Sequence, residues 1–118
     1  MIRNFLLVGL GGALGSMLRF GCYQLFKNGF VTTLFINILG SLVIGCIIGI
    51  CQRDPAFEKQ WRLFLATGIC GGFTTFSAFS MENIELIQQG KFISSTLYIL
   101  VSIIVGLAGA WAGYKLTA

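Results

Sequence analysis

The sequence predicts an all-α membrane protein of four transmembrane helices, the third of them broken near its middle. Of its 118 residues, 56% are hydrophobic and only 10% are charged, against about 25% charged in an ordinary soluble domain. Four apolar runs, about residues 5–26, 32–51, 63–81 and 92–114, are each close to the roughly 20 residues that a bilayer crossing needs. Glycine accounts for 16 residues, near twice its usual share of about 7%, and glycine is favoured where membrane helices approach closely. Residues 1–118 therefore form a single transmembrane domain whose main partner is the lipid bilayer. The net charge of +4 comes from Lys and Arg at the ends of the apolar runs; they anchor at headgroups and form no basic stripe for nucleic acid.

The first run follows Arg3 as a secretory signal would, but three more spans follow and it continues past Arg19 to Phe26, about the 20 residues of a bilayer crossing, so it reads as a retained helix. Gly11-x-x-x-Gly15 and Gly12-x-x-x-Ser16 present a small-residue face to a neighbour. Arg19 is either a snorkelling anchor or a charge at the mouth of an anion path. In the second run Thr33, Asn37 and Ser41 recur every four residues and so share one helical face. The Asn37 amide has two readings, interhelical bridge or anion donor. Gln52 to Trp61, with Arg53, Asp54, the only proline at 55, Glu58 and Lys59, reads as the one aqueous loop.

The third run holds Thr67 to Glu82, the most unusual stretch of the chain. Gly71 and Gly72 weaken a helix interior by about 1 kcal/mol each relative to Ala, and Thr74 and Thr75 are β-branched and can bond their own backbone. A break is expected there. Interrupted backbone at membrane depth is tolerated only where protein or a water-filled cavity satisfies it, which points to ion or substrate handling. Phe76 and Phe79 share a face, as do Ser77 and Ser80. The two rings serve either as apolar bulk or, through their electropositive edges, as the lining of an anion path. Glu82 is either a solvated carboxylate at the helix end or a guard at a pore mouth. In the fourth run Ser95, Tyr98 and Ser102 lie on one face, extended by Gly106, Gly109 and Gly113.

Four spans place both termini on one side, where Arg3, Arg53, Lys59, Arg62 and Lys115 outnumber Lys27 and Lys91 opposite. That bias modestly favours a cytoplasmic N-terminus. One such chain is too small to enclose an aqueous path, and an antiparallel, dual-topology homodimer would supply the inverted pair that transport folds use. With no His and no Cys-x-x-Cys pair, the four cysteines read as small buried hydrophobes. The chain offers no nucleophile paired with a base, so an enzyme is not expected. A proton-coupled exporter similar to the small multidrug resistance family would need an embedded carboxylate, and the first three spans hold none before Glu82. A purely structural subunit accounts for the glycine faces but not for the clustered Gly-Thr-Phe-Ser chemistry.

Three motifs resemble the Fluc/CrcB family of fluoride channels. They are Gly11-Gly12-Ala13-x-Gly15-Ser16-x-x-Arg19-Phe20, Thr33-Leu34-x-x-Asn37-x-x-Gly40-Ser41, and Gly71-Gly72-Phe73-Thr74-Thr75-Phe76-Ser77-Ala78-Phe79-Ser80-x-Glu82. The resemblance covers almost the whole chain. It implies passive, selective F⁻ export across a bacterial-type inner membrane, lowering cytoplasmic fluoride through a dual-topology homodimer with two pores. It also implies a structural Na⁺ at the dimer axis, held by the backbone carbonyls of Gly71 and Thr74. Phe76 and Phe79 match the pore aromatics, Asn37 the polar residue that bonds the ion, Arg19 the arginine of the first helix, and Glu82 the acidic residue beyond the aromatics. Tyr98 and Ser102 match pore positions of the fourth helix, while Thr75 and Ser77 are available as further donors on the fluoride path. Two departures stand out: Ala78 where many members have Thr, and Gly106 where a hydroxyl is expected.

Overall fold

The computed structural model describes all residues from Met1 to Ala118. They form α1 (Ile2–Leu25), α2 (Gly29–Arg53), α3 (Pro55–Arg62), a π-helical stretch (Leu63–Cys70), α4 (Gly71–Phe73), α5 (Phe76–Gln88) and α6 (Phe92–Thr117), with no strand. From α3 to α5 the chain is one long interrupted rod, so four spans result: Ile2–Leu25, Gly29–Arg53, Pro55–Gln88 and Phe92–Thr117. The longest dimension, 50 Å, exceeds the roughly 40–45 Å of a bilayer with its headgroups.

The stretch from Gln52 to Trp61 is not the loop that its charges suggest. Asp54 alone separates α2 from α3, and its Oδ1 accepts the amides of Ala56 and Phe57, both at 3.1 Å. Pro55 occupies the first helical position, where a missing N–H costs nothing. Glu58 and Arg62 then pair at 2.7 Å one turn apart on the exposed face. The charges mark the aqueous end of a helix, and the third span is accordingly longer than residues 63–81.

The break is real, but its position is set by the threonines. Gly71 and Gly72 are helical, whereas Thr74 (φ −75°, ψ 154°) and Thr75 (φ −145°, ψ 113°) are extended. Thr75 caps α5, its Oγ1 accepting from the Ala78 amide at 3.1 Å. Gly72 uses its missing side chain for contact: a Cβ there would lie 3.0 Å from the Gly12 Cα.

Two close-packed pairs make up the rest. α1 lies on the π-helical stretch and α4, where a Cβ on Gly11 would stand 2.8 Å from the Gly68 Cα and one on Gly15 2.8 Å from the Phe73 amide. α2 lies on α6, with Gly45 against Ala110, Gly109 against Ile38, and Gly113 against Leu42 and Cys46. Numbers rise together across that pair, so the two helices run parallel. Between the pairs sits a small core of Ile47, Cys51, Ala66 and Cys70. Cys51 and Cys70 thus act as buried apolar bulk, and all four cysteines are free. Large apolar side chains such as Phe5, Leu10, Ile104 and Leu107 point outward, as lipid-facing residues must.

Candidate functional site

The extended Thr74–Thr75 link leaves backbone groups without helical partners, and two side chains foreseen in the sequence take them. The Thr75 amide, which an unbroken helix would turn to the Gly71 carbonyl, donates to Asn37 Oδ1 at 2.8 Å. Asn37 Nδ2 donates in return to the Thr75 carbonyl at 3.1 Å. The amide of α2 therefore stands in for a missing turn of the third span. Arg19 reaches across from α1, its Nε donating to the Gly72 carbonyl at 3.1 Å, so it is neither a plain anchor nor free. Thr74 bonds back to Cys70 through both amide and hydroxyl, each at 3.0 Å.

Beside the break lies a recess of about 290 Å³, lined among others by Asn37, Ser41, Gly71, Thr74, Thr75 and Phe76. It is large enough for several waters, each of which takes about 30 Å³ of liquid.

Glu82, whose setting the sequence left open between solvent and pore, is tied into a hydroxyl network. Its Oε2 accepts from Thr33 Oγ1 at 2.9 Å and its Oε1 from the Tyr98 hydroxyl at 3.0 Å. Because the single Thr33 proton goes to the carboxylate, the 2.5 Å contact between Tyr23 and Thr33 has Tyr23 as donor. α2 and α6 thus meet on the carboxylate of α5, and α1 joins them through Thr33. Tyr23 is absent from the sequence-derived site. Its signal was available, since it stands one helical turn beyond Arg19 on the same face of α1.

The aromatic residues form a row. Phe76 and Phe79 have centroids 5.6 Å apart, Phe79 and Tyr98 5.2 Å, and Phe30 meets Tyr98 edge-on at 5.8 Å. Phe76 is 77% exposed on the single chain, while Phe79 is half-buried. Ser77 Oγ lies 3.3 Å from Thr75 Oγ1. Ser102 Oγ is enclosed with no hydrogen-bond partner. A second unforeseen polar link joins α5 to α6: Ser95 donates to Asn83 Oδ1 at 2.8 Å, and Asn83 Nδ2 to the Phe79 carbonyl at 2.9 Å. It fixes the rod that carries Phe79 and Glu82.

Residues 6–114 match the family described as CrcB-like protein, Camphor Resistance (CrcB). The chain belongs to the CrcB family. Across 99% of its length it is 41% identical to the fluoride-specific ion channel FluC of Azobacteroides pseudotrichonymphae, covering 98% of that protein. It is 44% identical to a FluC of Thermus thermophilus over 98% of this chain and 95% of the other. It is 41% identical to the FluC of Leptospira interrogans serovar copenhageni, over 94% of this chain and 91% of the other. These relatives are named as ion channels and not as enzymes, in keeping with the expectation drawn from the sequence that the chain is not an enzyme.

Proposed function

We propose that this chain is a fluoride-selective channel that lets F⁻ leave the cytoplasm passively across a bacterial-type inner membrane. The observation that carries the reading is the helix break. Its backbone is held by Arg19 from α1 and by Asn37, which also lines a recess with Ser41, Thr74 and Thr75, next to a row of aromatic rings. A strongly hydrated ion entering such a path needs replacement donors. Asn37 keeps one amide proton beyond its bond to Thr75, and Thr75, Ser77 and Ser102 add hydroxyls, while the Tyr98 hydroxyl proton is committed to Glu82. The ring edges of Phe76 and Phe79 attract an anion weakly, without the permanent charge that would trap it. The names that its relatives carry support the same ion.

The functional unit is an antiparallel homodimer with two pores. Gly71 and Phe76 are exposed on the single chain, at the edge of the extended Thr74–Thr75 link. Such backbone does not face lipid, so a second copy covers it. The Gly71 carbonyl is released because the Thr75 amide turns to Asn37. A hard cation prefers oxygen ligands, and a two-fold axis would double the carbonyls of Gly71 and Thr74 from two to four, a donor set that suits Na⁺. There the ion would neutralise converging carbonyl dipoles and hold the two breaks together.

The deciding experiment is F⁻ efflux from liposomes carrying the purified chain, with Cl⁻ as control. Rapid F⁻ loss with Cl⁻ retained is expected; a folded dimer without F⁻ flux refutes the reading. Cysteine-accessibility labelling should find both orientations, and a single one would exclude the antiparallel pair.

A further inference from the structure

We infer that Ser41 donates its hydroxyl to the permeating small halide, at the level where α6 carries Gly106 and so offers no hydroxyl; this rests on the channel reading above. α2 and α6 run parallel, and Thr33, Asn37 and Ser41 on one match Tyr98, Ser102 and Gly106 on the other at the same four-residue spacing. The first level is visible directly, because Thr33 and Tyr98 both bond Glu82. The third is visible in the space at Gly106: a Cβ there would have only one neighbour within 4 Å, Ser41 Oγ at 3.8 Å. The two helices thus form a polar ladder whose last level has one hydroxyl, and it comes from α2.

The ordinary fate of a hydroxyl in a membrane helix is to bond the carbonyl four residues back. Thr32, Thr74, Ser80, Thr96 and Thr117 all do so, at 2.7–3.1 Å. Ser41 does not, and neither does any other protein group bond it. Its neighbour on the ladder, Ser102 Oγ, is the one enclosed side-chain oxygen or nitrogen without a partner. Ser41 opens onto the recess that Asn37, Thr74 and Thr75 also line. An unpaired hydroxyl at membrane depth is costly, so its proton is kept for something in that recess. Fluoride accepts hydrogen bonds and donates none, which makes O–H the matching group.

The test compares F⁻ and Cl⁻ efflux for wild type, Ser41→Ala, Ser41→Thr, Ser41→Val and the double variant Ser41→Ala/Gly106→Ser. Loss of a hydrogen bond to an ion should lower F⁻ flux at least about tenfold in Ser41→Ala. Ser41→Thr should conduct and the similarly shaped Ser41→Val should not. Restoring a hydroxyl from α6 in the double variant, where the Gly106 site has room, should recover most of the lost flux. Dimer content by size exclusion should be unchanged throughout. Wild-type flux in Ser41→Ala, equal flux in the Thr and Val variants, or a folded double variant without recovery would each overturn the role of Ser41 and leave the channel reading intact. Absence of F⁻ flux in the wild type would instead overturn the channel reading, and this inference with it.

Discussion

Replacing Asn37 by Ala removes both bonds that close the gap in the third span, and the consequence is calculable from the geometry. The Thr75 amide and carbonyl lose partners at 2.8 and 3.1 Å. A buried polar group left unpaired costs about 1–3 kcal/mol, so the pair sets a range of about 2–6 kcal/mol. The adjacent recess of about 290 Å³ is lined by both Asn37 and Thr75, so removal of the Asn37 amide would let water from it reach the two groups. Water-mediated bonds are enthalpically nearly as good as direct ones, which places the expected loss near the low end, about 2 kcal/mol. Chemical or thermal denaturation of the purified protein in detergent reads that loss. F⁻ efflux should fall at the same time by at least about tenfold, because the extended link and the remaining amide proton both lose their position. A variant within about 0.5 kcal/mol of wild type and with full flux would refute the role assigned to Asn37, since surface substitutions alone reach that range.

Other perturbations separate close packing, aromatic lining and cation. Gly15→Ala should cost at least about 1–3 kcal/mol, because its Cβ would meet the backbone of Ile69 and Phe73, whereas Gly12→Ala has nothing within 4 Å and should be neutral; equal melting curves would contradict the packing of α1. Phe79→Ile should keep the dimer and suppress F⁻ efflux, and unchanged efflux would remove the aromatic row from the path. Tyr98→Phe keeps the ring but deletes the 3.0 Å bond to Glu82, which should lower flux several-fold in liposome assays without any requirement for a proton gradient; strict dependence on such a gradient would favour an exporter. Exchanging Na⁺ for a bulky organic cation during purification should shift size-exclusion profiles toward monomer, and an indifferent dimer would exclude a structural Na⁺.

The extent to which the site was legible differs residue by residue. Asn37, Thr75, Phe79, Tyr98 and Glu82 were each readable because a polar or aromatic side chain in a lipid-length apolar run demands a reason. Their partners were not readable. That Asn37 would serve the Thr75 backbone rather than only an ion depends on α2 lying against the break. That Tyr23 would join Glu82 through Thr33 depends on α1, α2 and α5 converging at one point. Ser95 was readable on the polar face of the fourth run, but its buried bond to Asn83 was not, since one amide and one hydroxyl twelve residues apart carry no spacing rule.

Legible in the sequence alone were the number of spans, the rough limits of the first, second and fourth, the existence of an interruption in the third and the family. The spans and the interruption follow from local composition, namely apolar length, charge at run ends, and runs of Gly and Thr, whereas the family follows from the resemblance of three motifs. The tertiary structure alone decided that the Gly pair stays helical while the Thr pair opens. Gly72 is consumed by its approach to Gly12, and the exposed groups of Thr75 find Asn37 across the gap. It also decided that Asp54 turns a charged stretch into helix and that the α2 stripe faces the α6 stripe in parallel register. The physical reason is the same in each case: a polar group in lipid is costly until it is paired, and the pairing partner lies far away in sequence and close only in space.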